Sequence, residues 1–218
     1  MTPEMRHDGD DAHKDLAFLR GLVSEAPKAQ GAAGIIFLTA GLAYGIDCLA
    51  YWAQGAFGWP QSAMINWTLI LFPIAVSVPV IAYVTWKNRK AGPQGVATRA
   101  LSAAYGSAGL ANLAIAIAFG YVASQQKSML IWLLYPVVNC AFLGAVWYVA
   151  YMIRRKLWLI GISIGWFITT VALGLLIRQP LTYLLVLGIA LIVLMGGAGW
   201  TMMSLDRRQQ TPRGGEST

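Results

Sequence analysis

Charge is scarce in this chain. Of its 218 residues, 11% are Asp, Glu, Lys or Arg, against about 25% in an ordinary soluble domain. Six long apolar stretches hold a single charged side chain between them, Asp47. With 57% of the residues hydrophobic, the excess is lipid-facing surface and not an oversized soluble core. The segments outside these stretches are too short to bury a core of their own.

Histidine is scarcer still. The only two, His7 and His13, lie in the polar first fourteen residues. No imidazole is left to ligate haem or a metal within a bilayer, which excludes a b-type cytochrome. No cofactor is expected. The run His7 to His13 reads as a solvated acidic tail, because ligands on an unstructured segment hold a metal poorly. Cysteine is limited to Cys48 and Cys140, both in apolar stretches and at different depths, so no disulfide framework is expected. No serine lies near a histidine, no glycine pattern suits a phosphate or dinucleotide, and no arginine run resembles a voltage sensor. The expectation is that this is not an enzyme.

What is present is a set of runs near the ~20 residues that a helix needs to cross hydrocarbon. Spans are predicted over 32–53, 65–86, 100–122, 129–152, 157–177 and 181–203. The connections are short, so consecutive spans are expected to be antiparallel neighbours. The fold class that follows is an all-α transmembrane bundle of six helices in three antiparallel hairpins.

The cations fix an expected orientation. Of sixteen Lys and Arg, fourteen fall in the N-terminal segment, the second and fourth connections and the C-terminal tail. Only Lys127 and Arg178 fall on the other side. The positive-inside rule then places both termini in the cytoplasm. A sequence pI near 9.6 in a soluble protein would point to nucleic acid. Here the basic residues flank apolar runs, which points to topology and anionic lipid, with no nucleic-acid partner. Tryptophans follow the same map: Trp86, Trp147, Trp158 and Trp200 near the inner ends, Trp52, Trp59, Trp67 and Trp132 near the outer surface, as interfacial belts. Trp166 alone is mid-span and is expected inside the bundle.

Residues 1–31 are expected to form a cytoplasmic segment with an amphipathic helix. Asp10 or Asp11 caps a helix from near Ala12 to about Glu25, with Leu16, Leu19, Leu22 and Val23 on one face and Lys14 and Arg20 on the other. Such a helix suits the membrane surface, the inner end of the bundle or a partner helix. Pro27 and Gly31 are then expected to break the chain. Residues 204–218 read as a disordered tail. A faint repeat matches Thr39 to Ala43 with Ser107 to Ala111, and Phe72-Pro73 with Tyr135-Pro136.

Three constellations could carry function. Asp47 shares a helix face with Tyr44 and Tyr51. It is either a proton, cation or ligand site, or a clamp paired with Arg178 or Lys127. Asn112 and Asn139 are equally far from the turn joining spans 3 and 4, which predicts an amide contact at one depth beside the Pro136 kink. That proline leaves the Trp132 carbonyl needing another donor. Span 2 carries Pro73 and Pro79 with Ser77 between them, so the carbonyls of Leu69 and Ala75 lose their helical partners. Small residues at Gly41 and Gly45, and at Gly161 and Gly165, allow close helix approach. Gly196 to Gly199 is either a hinge or a tight crossing.

The opening Asp15-Leu16-Ala17-Phe18-Leu19-Arg20, before a glycine- and alanine-rich first span, resembles uncharacterised bacterial six-span inner-membrane proteins. The resemblance implies a bacterial plasma-membrane location and brings no activity or site residues. The function favoured is a non-catalytic assembly, sensing or regulatory role with a protein partner or a second copy of the chain, because one acid in the membrane and few, neutral midplane polar groups are thin for coupled transport. The alternative is a small transporter or channel using Asp47 and the kinked second span.

Overall fold

The computed structural model describes the backbone of residues 4–59, 62–88 and 96–210, and the side chains of 31–59, 62–87 and 98–207. Among the described residues every regular element is helical. They are α1 (Glu4–Phe57), α2 (Ala63–Asn88), α3 (Val96–Gln126), α4 (Met129–Arg154), α5 (Leu157–Leu176), α6 (Pro180–Ala190), a π-helical segment (Leu191–Gly196) and α7 (Gly197–Gln210). A helix satisfies its own backbone polar groups, as lipid demands. Six stretches are long and apolar enough to cross a membrane: Gly31–Phe57, Ala63–Lys87, Thr98–Gln126, Met129–Arg154, Leu157–Leu176 and Pro180–Arg207. The chain is thus a multi-pass, all-α membrane protein.

Helix α1 is the hub. It packs along α6, the π segment and α7 on one side and against α2 on another, while α3 packs on α4, α4 on α5 and α5 on α6. The first of these contacts is built on glycine. A Cβ at Gly41 would lie 2.5 Å from the Gly196 amide nitrogen and 2.9 Å from the Leu191 carbonyl. One at Gly34 would lie 2.8 Å from the Gly199 carbonyl, and one at Gly199 would run into the backbone of Leu38 and Gly34. Gly196 to Gly199 is therefore at a tight crossing, with the π segment against Gly41. By contrast Gly161 and Gly109 have nothing within 4 Å of a built Cβ. The close approach expected of Gly161 and Gly165 is made at Gly165, where a Cβ would lie 2.6 Å from Leu194 Cδ2, and not at Gly161, and the matched glycines of the repeat, Gly41 and Gly109, do not share a role.

Two boundaries differ from expectation. Helix α1 runs without a break through Pro27 and Gly31. Gly31 is buried against Asp206 of α7, so its missing side chain admits a neighbouring helix and does not end its own. Pro27 removes one backbone donor, while the alanines around it favour helix. The amphipathic face of the leader lies outside the described side chains. At the other end, 204–210 are helical and part of α7, held by that same contact with the start of the first span. Residues 211–218 lie outside the described residues. Helix α1 stops at Gly58, whose φ of +62° costs glycine nothing, and the Trp59 N–H donates to the Gln54 carbonyl at 3.2 Å.

The core lies between α1, α3, α4, α5, α6 and α7, with the π segment packed against it. Trp166 is fully buried there, as its mid-span position predicts, and so is Trp147. Trp147 does not join an interfacial belt because Phe37, Tyr105 and Trp158 surround it, with ring centroids 5.1, 5.9 and 6.3 Å away. Trp86, Trp200, Trp59 and Trp67 are exposed, as residues of such belts must be. Two hydrogen bonds tie this half together: Ser163 Oγ donates to the Gly144 carbonyl at 2.7 Å, and Tyr183 Oη donates to the Leu133 carbonyl at 2.6 Å. The second goes to the Leu133 carbonyl, next to the Trp132 carbonyl that Pro136 leaves without its helical donor, and no side-chain donor to Trp132 is found among the described residues.

Candidate functional site

Asp47 sits well inside the first span, ten residues before Phe57, or about 15 Å at 1.5 Å per residue. Its helix has two protein-facing sides. Gly45, two residues away, is about 160° round the helix at 100° per residue, and it faces Ile192 and Gly188. The Asp47 side carries Ala40, Ala43 and Gln54, all buried. On α2 the buried residues are Pro73, Ser77 and Val84. Since α1 is the one element against which α2 packs extensively among the described residues, these three mark the face turned to α1.

Register brings the two faces together. Asp47 and Pro73 are equally far from the middle of the α1–α2 turn, as are Ala43 and Ser77, so an antiparallel pair sets each level with the other. Side chains lean toward the N-terminus of their own helix. On antiparallel helices the Asp47 carboxylate and the Ser77 hydroxyl therefore lean toward one another. Ser77 is 5% exposed. Its Oγ and Asp47 Oδ1 are both buried without a hydrogen-bond partner. Ser77 is unusual here. Thr68, Thr169, Thr170 and Thr201 each return a hydroxyl to a carbonyl four residues back, whereas Ser77, four residues after Pro73, does not.

The expected clamp is not formed. Asp47 makes no ion pair with Arg178 or Lys127, and both cations are exposed. Depth explains it. A Cβ at Gly55 would run into Leu181, so the α5–α6 turn that carries Arg178 is level with Gly55. That is about 12 Å beyond Asp47 along the helix. Tyr44 and Tyr51 remain on the Asp47 face, Tyr44 exposed and Tyr51 half-buried.

The amide pair is also replaced. Asn112 Oδ1 accepts from Tyr135 Oη at 2.9 Å, and Asn139 makes no side-chain hydrogen bond among the described residues. A phenol reaches further across a helix pair than an amide does. Tyr135 in turn stacks on Trp132, with centroids 5.4 Å apart. The α3–α4 contact is thus a satisfied structural bond. Pro79 is exposed and points away from α1, unlike Pro73.

Two residues that the sequence reading passed over extend the site. Gln54 is buried on the Asp47 stripe, and Asn66 on α2 is half-buried at the same level. With Tyr51, Asp47 and Ser77 they form a polar track along the α1–α2 interface, beginning at the α1–α2 turn. Beyond Ser77 the interface closes on Ala40 and Ala43 of α1 and Val80 and Val84 of α2, which are buried or half-buried. The signal was available: Gln54 and Asn66 are equally far from the turn, the same test that paired Asn112 with Asn139. Among the described residues no group of three or more His, Cys, Asp or Glu is arranged to hold a metal. Compared with protein-family models, with curated proteins and with solved structures, the chain matches none.

Proposed function

We propose that this chain is a small ion-conducting or ion-coupled membrane transporter whose working site is the α1–α2 interface at Asp47. One observation carries the reading: Asp47 Oδ1 and Ser77 Oγ, on the packed stripes of α1 and α2, are both buried with no hydrogen-bond partner among the described residues, within a turn of Pro73 inside α2. An ionisable group within a span costs about 2.5 kcal/mol or more. Without a counter-charge to offset that cost, a proton or a cation is the chemistry that the site suits. Broken helices line such sites in transporters.

The proposal takes the six helices as three hairpins, with both termini in the cytoplasm of a bacterial plasma membrane, on the strength of the cation distribution. The α1–α2 turn then faces outward and the polar track opens from outside. No bond-making chemistry is assigned to the chain. An association role, with a protein partner or a second copy, keeps one support: α3 buries little of itself and has α4 as its one extensive neighbour among the described residues.

Flux in proteoliposomes tests the proposal. The wild-type protein should dissipate an imposed proton or monovalent-cation gradient, and Asp47→Asn, which keeps the shape and removes the charge, should lower the rate at least about tenfold, as loss of the coupling charge requires. Equal rates for the two proteins, or no flux above empty liposomes, would refute it.

A further inference from the structure

We infer that the α1–α2 interface binds a monovalent metal cation of sodium type, held by the Asp47 carboxylate, the Ser77 hydroxyl and the Leu69 main-chain carbonyl. This inference rests on the transport reading and specifies its occupant.

Register places three oxygens within about a turn of one another along the α1–α2 interface. Pro73 is buried against α1 and has no N–H, so the carbonyl of Leu69, four residues earlier on the same face, has no helical donor. A helical carbonyl points toward the C-terminus of its helix, so this one aims at the level of Pro73, which is the level of Asp47. The Ser77 hydroxyl leans back toward that level from one turn beyond. The Asp47 carboxylate leans from that level toward Ser77 on the facing helix. Asp47 Oδ1 and Ser77 Oγ are both buried, and among the described residues neither has a hydrogen-bond partner.

The donor set selects the ion. All three groups are oxygens, which hard cations prefer and which soft or borderline metals do not. A carbonyl can only accept, so it offers a metal ion a ligand but cannot stabilise a carboxylate by donating to it. A proton on Asp47 would satisfy at most one of the other two oxygens, whereas a metal cation can engage all three. Charge then separates monovalent from divalent ions. One carboxylate neutralises one positive charge, and no second acid lies within the apolar stretches. A divalent ion would leave a net charge in a low-dielectric setting, at a high cost. Within a continuous span, a carbonyl freed by a proline is one backbone oxygen that a bound cation can engage at membrane depth. Gln54 and Asn66 give the incoming ion polar contacts along its route from the turn.

Thermal unfolding of the purified full-length protein in detergent tests this, with NaCl, KCl and LiCl compared with choline chloride at equal ionic strength. A ligand that binds the folded state raises the midpoint in a saturable way. Sodium should raise it relative to choline. Asp47→Asn should abolish the difference, and Ser77→Ala should move the half-saturating concentration at least about tenfold upward, one lost ligand being worth about 1.4 kcal/mol or more. Ser77→Thr, which keeps a hydroxyl, should restore it. Identical midpoints for the wild type in sodium, lithium, potassium and choline would overturn the inference, as would a sodium effect that persists in Asp47→Asn. If the midpoints are identical but an Asp47-dependent proton flux remains, the metal ion is wrong and the transport reading stands. If the flux is absent as well, both fail.

Discussion

Gly199→Ala should destabilise this protein more than any other single-methyl addition along its helices, with Gly41→Ala close behind. In both cases the new Cβ would meet backbone and not the end of a flexible side chain: Leu38 and Gly34 for Gly199, Gly196 and Leu191 for Gly41. Backbone cannot rotate away, so α1 and the last span must separate along the length of their contact. Overpacking costs about 1–3 kcal/mol where side chains can adjust, and these sites belong at or above the upper end. Gly161→Ala, Gly109→Ala and Gly174→Ala provide the contrast, because nothing lies within 4 Å of their built Cβ positions. Helix propensity alone predicts a gain of about 0.5–1 kcal/mol there. Unfolding midpoints of the five variants in one detergent check the set. Similar losses for Gly41 and Gly109 would contradict the crossing, and would restore the equivalence that the repeated Ala-Gly-Leu-Ala suggests.

Replacing Asp47 should act in the opposite direction on stability. Asp47→Leu removes a carboxylate that has one oxygen buried and no ion pair among the described residues. An ionised side chain at a helix centre in the membrane costs about 2.5–3.5 kcal/mol. Asp47 is half-buried, so a gain of about 1–2 kcal/mol, part of that cost, is the expected result. The same variant should be inactive in flux. A clamp predicts the reverse sign, since removing one member of a buried pair costs about 3–5 kcal/mol. The sign of the change in unfolding midpoint separates the two, with Arg178→Ala as the control that should have no effect.

The spans were legible because run length is a one-dimensional property that lipid enforces. Each of the six predicted stretches lies within, or within a residue or so of, a stretch described above. Boundaries set by tertiary contact were not legible. Gly31 reads as a helix breaker until Asp206 is found against it, and 204–210 read as a tail until α7 is seen on α1. Trp147 carries the same sequence signal as Trp86, an indole near an inner end. Only the rings around it separate a core residue from an interfacial one. At the candidate site, Asp47, Pro73 and Ser77 each stood out alone. Their juxtaposition needed the finding that α2 packs on the Asp47 side of α1, while the glycines take the last span on the other. The depth of Arg178 could not be read either, because it depends on how far α1 extends past Ala53 before Gly58 ends it.

For the α1–α2 interface to carry an ion, Asp47 must be reached from the α1–α2 turn along the line of Gln54, Asn66 and Tyr51. The direct measurement is thiol labelling of Asp47→Cys, in a chain with Cys48 and Cys140 replaced by alanine, in intact cells with a membrane-impermeant reagent. The account predicts labelling from outside that sodium in the medium leaves unchanged, since the substituted site has lost its carboxylate. A cysteine at 47 that stays protected, while one at the exposed Trp59 reacts, would contradict it.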